Sequence, residues 1–128
     1  MSKIIIEGGQ RLEGVVRVQG AKNAVLPILA ATVINGGRNV IRDCPRLKDV
    51  NSSIQILKCL GCNVSWEGST ITVDSHNITT HHVPESLMRE MRSSIMFLGA
   101  IVARCRKATI SMPGGCELGP RPIDLHLK

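Results

Sequence analysis

Aromatic side chains are nearly absent: the 128 residues contain no tyrosine, one phenylalanine (Phe97) and one tryptophan (Trp66). A protein that grips single-stranded nucleic acid stacks bases on aromatic platforms along a basic groove, and here both the platforms and any dense Lys/Arg run are missing. Long apolar runs are missing too. Ala24 to Ile34 and Ile95 to Ala103 reach only about half the length that a bilayer span needs, and Pro27 interrupts the first. Nothing therefore reads as membrane-spanning. The start, Met1-Ser2-Lys3-Ile4-Ile5-Ile6-Glu7, lacks the long apolar region and small-residue cleavage site of a secretory signal. The five cysteines are odd in number and irregularly spaced, which argues against a disulfide framework, so free thiols in a reducing cytoplasm are expected. Acidic residues are in deficit: 10 Asp and Glu against 16 Lys and Arg leave a net charge of +6, which suits an anionic partner. With nucleic acid and membrane set aside, small anions such as phosphorylated metabolites fit best.

At 43% hydrophobic residues the chain can build one ordinary core. β-Branched residues at Ile4 to Ile6 and Val15 to Val18 predict two short strands. An apolar run from Ala21 to about Asn35, closed by Gly36-Gly37, predicts a largely buried helix in which Pro27 is tolerated near the first turns. Asn39 to Arg42 reads as a strand stopped by Cys44-Pro45. Asp49 is placed to cap a second helix, whose Val50, Ile54, Leu57 and Leu60 recur at helical spacing before Gly61. Asn63 to Glu67 and Thr70 to Asp74 flank Gly68-Ser69 as a hairpin. The unit is βαβαββ. After Pro84 it restarts, with a helix from about Glu85 to Cys105, a strand from Ala108 to Met112, and a second capped start at Asp124-Leu125. Pro113 answers Pro45 at a period of 68 residues, and Asp124 answers Asp49 only after seven additional residues.

Those additional residues fall within the loop Pro113-Gly114-Gly115-Cys116-Glu117-Leu118-Gly119-Pro120-Arg121-Pro122. Glycines let backbone N–H groups approach a ligand, prolines fix the loop's shape, and nearby cations and a following helix start favour thiolate. Cys116 is thus the candidate reactive group, whereas Cys44, Cys59, Cys62 and Cys105 fit apolar packing better. Gly20-Ala21-Lys22-Asn23 opens the first helix, where unsatisfied N–H groups and the helix dipole favour an anion; a solvated lysine is the plainer alternative. Arg89 and Arg92 lie three apart, on one face of the third helix, with Glu85 and Glu90 close enough in sequence to pair with them. Arg121, held between two prolines, is the better anion ligand. Cys59, Cys62, His76 and His81 have the spacing of a zinc site, but the cysteines straddle a helix end and the histidines lie among β-branched residues, so no metal is expected. His126 as a cysteine-protease-like base lacks a supporting Asn/Gln loop.

Four segments in this order, Gly20-Ala21-Lys22-Asn23-Ala24, Leu47-Lys48-Asp49-Val50, Met91-Arg92-Ser93-Ser94 and Pro113-Gly114-Gly115-Cys116 followed by Gly119 to His126, closely resemble the bacterial UDP-N-acetylglucosamine enolpyruvyl transferases. The sister shikimate-pathway transferases lack the cysteine loop. The resemblance implies transfer of an enolpyruvyl group from phosphoenolpyruvate to the 3-hydroxyl of UDP-N-acetylglucosamine with release of phosphate, the first committed step of peptidoglycan synthesis, with no cofactor. It implies Cys116 as proton donor, able to form a phosphothioketal adduct and alkylated by fosfomycin. Lys22 and Asn23 become phosphoenolpyruvate contacts, Arg92 a substrate-anion contact, and Arg121, Pro122, Ile123, Asp124 and Leu125 part of the UDP-sugar site. The implied fold is α/β, an inside-out barrel of βαβαββ repeats. Here it is incomplete: residues 1–20 belong to another barrel domain, repeat one spans about 21–84, and a truncated repeat two spans 85–128. The general base and further ligands are expected beyond Lys128. The isolated chain is therefore expected to turn over nothing, and to self-associate through surface left open. The competing expectations are a non-catalytic sugar-nucleotide module or scaffold, and a small thiol redox or metal protein.

Overall fold

The apolar run after Gly20 forms helix α1, Lys22–Asn35, in a computed structural model that describes residues 3–112 and 123–127. Val25, Leu26, Leu29, Ala30 and Val33 are buried, while Ile28 and Ile34 remain about half exposed. Gly36 ends the helix in the left-handed region (φ 65°), which glycine adopts without Cβ strain. Strand β1, Arg38–Ile41, follows, then α2, Lys48–Cys59, and the hairpin β2, Asn63–Glu67, with β3, Thr70–Asp74. The sheet is antiparallel in the order β1-β3-β2. Its register places Ile41 and Trp66 opposite Ile71, and Asn39 and Val64 opposite Val73, on the inner face. Ile71 and Val73 are fully buried there, against a core that includes Leu29 and Val33 of α1 and Ile56 and Leu57 of α2. Buried Ser75 ties the end of β3 to α1 by donating its hydroxyl to the Thr32 carbonyl at 2.6 Å.

The second half departs from expectation. The helix predicted over Glu85 to Cys105 is interrupted: α3, Glu85–Glu90, stops at Met91 in an extended conformation (φ −145°, ψ 147°). A 3₁₀ turn, Arg92–Ile95, then leads into α4, Met96–Cys105. The break is held from both sides. Ser94, fully buried, donates its hydroxyl back to the Met88 carbonyl at 2.8 Å, and Ser53 of α2 reaches the Met91 sulfur at 3.7 Å. Serines that satisfy backbone groups through their side chains compete with a continuous helix. In place of the strand predicted over Ala108 to Met112 there is a single parallel bridge, Thr109 to His82. Parallel pairing across an intervening helical segment is the βαβ arrangement, here reduced to one bridge.

The strands predicted at Ile4 to Ile6 and Val15 to Val18 do not form. Ile5 and Val15 are 84% and 101% exposed, and without a neighbouring edge the backbone groups of these segments have no ladder to join. Among the described residues the first unit is therefore αβαββ. The mixed helix-and-sheet architecture is α/β as expected.

Candidate active site

Lys22 and Asn23 are the first two residues of α1, and both are exposed. No side chain caps this helix start; Ala21 occupies the capping position with extended geometry (φ −78°, ψ 133°). The Ala24 and Val25 amides bond back to the Ala21 carbonyl, which leaves the Lys22 and Asn23 amides and the positive end of the dipole available to an anion. Gly20 explains itself by a close approach: a Cβ there would lie 2.4 Å from the Asp43 carbonyl oxygen. Any side chain would push the start of α1 off the turn that follows β1. That turn is itself sharply bent at Asp43 (φ 56°), and it borders an open cavity of about 710 Å³ lined by Arg17, Gly20, Pro45, Arg46 and Ser69 among others. Arg46 lies over the Trp66 ring, 5.2 Å from its centroid, and donates to the Gly68 carbonyl.

The residue expected to cap α2 has a different employment. Leu47 holds the capping position, and Asp49 sits in the first turn with its carboxylate 2.5 Å from the Lys22 ammonium. Opposite charges at the starts of two packed helices were legible in Lys22 and Asp49, but sequence distance gave no reason to join them. Ser52, one turn further along α2, donates to the Glu90 carboxylate at 2.6 Å. Arg92 is exposed at the head of the 3₁₀ turn just past the break. Arg89 pairs with Glu85 one turn back at 2.5 Å, so the expected common face of Arg89 and Arg92 is lost to the break at Met91.

Cys116, Arg121 and Pro122 lie outside the described residues. Ile123 is buried, whereas Asp124 and Leu125 are exposed in a three-residue 3₁₀ turn, Asp124–His126. Ile123, not Asp124, holds the capping position there, and no side-chain cap bond forms.

The remaining thiols are of two kinds. Burial pushes the Cys62 thiol up to about 11, with the Asp74 carboxylate adding to the rise and Arg104 opposing it. Burial also raises Cys44, and nearby Asp43 adds to this against a hydrogen bond from the Ile71 backbone. Both are protonated at neutral pH and poor nucleophiles. Cys59 and Cys105 are partly exposed. Of the zinc-spaced set, His76 is paired with Asp74, and Cys59 meets the His82 carbonyl at 3.9 Å. Among the described residues no three His, Cys, Asp or Glu side chains group together to hold a metal, and no helix is long and apolar enough to cross a membrane.

The described residues thus form an α/β unit with an uncapped start to α1, where Lys22 meets Asp49. The chain belongs to the EPSP synthase family, whose model, described as EPSP synthase (3-phosphoshikimate 1-carboxyvinyltransferase), matches residues 6–128. Over its whole length it is 58% identical to UDP-N-acetylglucosamine 1-carboxyvinyltransferase 2 of Caldanaerobacter subterraneus and 45% identical to UDP-N-acetylglucosamine 1-carboxyvinyltransferase of Desulfosudis oleivorans. The chain spans 31% of the length of each of these relatives. The crystal structure of the enolpyruvyl transferase NikO from Streptomyces tendae superposes with a TM-score of 0.68 at 28% identity, covering 76% of this chain and 23% of NikO.

Proposed function

We propose that the whole protein transfers the enolpyruvyl group of phosphoenolpyruvate to the 3-hydroxyl of UDP-N-acetylglucosamine and releases phosphate, the first committed step of peptidoglycan synthesis in the cytoplasm. The observation that carries this reading is the similarity, over the whole of this chain, to part of transferases named for that acceptor, at identities up to 58%. In the reaction the sugar hydroxyl gives up its proton to a general base as its oxygen bonds to C2 of phosphoenolpyruvate and C3 gains a proton, giving a tetrahedral ketal. Loss of phosphate from C2 and of a proton from C3 then restores the double bond in the product. Cys116 is assigned the proton donation to C3. Lys22 and Asn23 are assigned to phosphoenolpyruvate, Arg92 to a substrate anion, and Arg121, Pro122, Ile123, Asp124 and Leu125 to the UDP-sugar. Exposure of Lys22 and Asn23 at an uncapped helix start supports their part, because charge building on departing phosphate is stabilised by fixed amides and an ammonium.

The same reading makes the αβαββ unit one repeat of an inside-out barrel, with residues 1–20 joining another domain, repeat one covering 21–84 and repeat two starting at 85. The fully exposed apolar side chains at Ile4 to Ile6 and Val15 to Val18 support it, since such segments find burial only against other chain. The test is product formation by the full-length protein from phosphoenolpyruvate and UDP-N-acetylglucosamine, followed by phosphate release.

A further inference from the structure

We propose that Asp49 is a positioning residue for Lys22, holding the ammonium at the start of α1 in the orientation that receives the phosphoenolpyruvate anion. The inference rests on Lys22 being a phosphoenolpyruvate ligand. Lysine carries a flexible four-carbon stem and, at an exposed helix start, wanders among rotamers. Here its ammonium lies 2.5 Å from the Asp49 carboxylate, and the two side chains are unequal: Lys22 is 49% exposed and Asp49 only 23%. The acceptor is therefore the fixed partner. Asp49 stands in the first turn of α2, where the helix dipole favours a carboxylate, and the adjacent Val50 is fully buried in the core. Because α2 is anchored through Val50, Ile54 and Leu57, the carboxylate presents one stationary point to which the lysine folds back.

Occupying one N–H of the ammonium does not disable it. An ammonium has three donors; the bond to Asp49 takes one and leaves two for phosphate or carboxylate oxygens. Asp49 therefore orients Lys22 without neutralising its capacity to bind. The same face of α2, one turn on, carries Ser52 and Ser53, which bond Glu90 and Met91 immediately before Arg92. One helix thus fixes the bases of both candidate anion contacts, Lys22 through an ion pair and Arg92 through the helix break.

The experiment is a kinetic cycle in the full-length transferase with Lys22→Ala, Asp49→Asn, the double variant and Asp49→Glu. Asp49→Asn is expected to raise the KM for phosphoenolpyruvate about tenfold while leaving that for UDP-N-acetylglucosamine within twofold. In the Lys22→Ala background the same substitution should add less than twofold. Asp49→Glu, which keeps the charge on a longer stem, should recover part of the loss. Equal effects of Asp49→Asn with and without Lys22, or parallel rises in both KM values, would overturn the proposal. If Asp49→Asn does not fold, Asp49→Ser takes its place in the cycle: a rise confined to the phosphoenolpyruvate KM and lost in the Lys22→Ala background supports the role, and an unchanged value or a rise independent of Lys22 refutes it. Should Lys22→Ala itself leave the phosphoenolpyruvate KM unchanged, the assignment of Lys22 falls, a result distinct from an inert Asp49 beside a sensitive Lys22.

Discussion

Selective chemistry at Cys116 requires that the other thiols stay silent, and for Cys62 the silence can be worked out. Its side chain is 5% exposed, and burial with the Asp74 charge moves its titration from about 9 to about 11. At pH 7.5 a thiol titrating near 9 is about 3% thiolate, and one titrating near 11 about 0.03%. Alkylation proceeds through thiolate, so ionisation alone slows Cys62 about a hundredfold against an ordinary thiol, before steric shielding is added. The assay is time-resolved alkylation of the native full-length protein with iodoacetamide and, separately, with fosfomycin, read by mass spectrometry. Cys59 and Cys62 share one tryptic peptide running from Cys59 to Arg89, so fragmentation must separate them. Fosfomycin is expected on Cys116 alone, and iodoacetamide should reach Cys62 at a rate rising about tenfold per pH unit between pH 8 and 10. Labelling of Cys62 as fast as Cys59 at pH 7.5 would refute the burial argument, and equal fosfomycin labelling of several thiols would remove the support for Cys116. The same shift has a stability consequence with a definite sign. The unfolded thiol loses its proton near pH 9 while the native one keeps it, so the contribution of neutral Cys62 is complete below about pH 9 and is lost as pH rises to about 11.

Gly61→Ala is expected to destabilise the fold by about 2 kcal/mol or more, measured by urea unfolding. Gly61 has φ +104°, and a Cβ would lie 2.8 Å from the Asn77 carbonyl oxygen and 2.9 Å from the Thr79 nitrogen, both backbone atoms; a loss below about 0.5 kcal/mol would contradict this. The His76 backbone N–H and then its ring hold the Asp74 carboxyl below the usual carboxylate range, so this contribution to stability is present above the unfolded value and lost as pH falls through the folded one. His76→Ala keeps the backbone bond and removes the ring, so the Asp74 titration followed by NMR should move partway up; no movement would refute the assignment.

The hairpin and the first two helices were legible because their signals are local: Gly68-Ser69 between the short segments Asn63 to Glu67 and Thr70 to Asp74, Gly36 after an apolar run, and Val50, Ile54, Leu57 and Leu60 on one helical stripe. The errors arose where a distant contact decides. Continuity from Glu85 to Cys105 is reasonable by periodicity, yet Ser53, 38 residues before Met91, meets the break that Ser94 helps to hold. Ile4 to Ile6 and Val15 to Val18 carry strand composition, but a strand exists only with a partner edge. At the site, the exposed lysine at the start of α1 followed from Gly20-Ala21-Lys22-Asn23. Its ion pair did not, because Asp49 satisfied an equally good local role as a cap. Only packing of α2 on α1 distinguishes the two roles.

The identity of the acceptor decides the proposed function, and a single assay addresses it. The family description names 3-phosphoshikimate, while the full-length relatives are named for UDP-N-acetylglucosamine. Full-length protein incubated with phosphoenolpyruvate and each acceptor in turn, with product followed by mass spectrometry and phosphate release followed in parallel, should yield enolpyruvyl-UDP-N-acetylglucosamine and one phosphate per product. Turnover with 3-phosphoshikimate and none with the UDP-sugar would contradict the account.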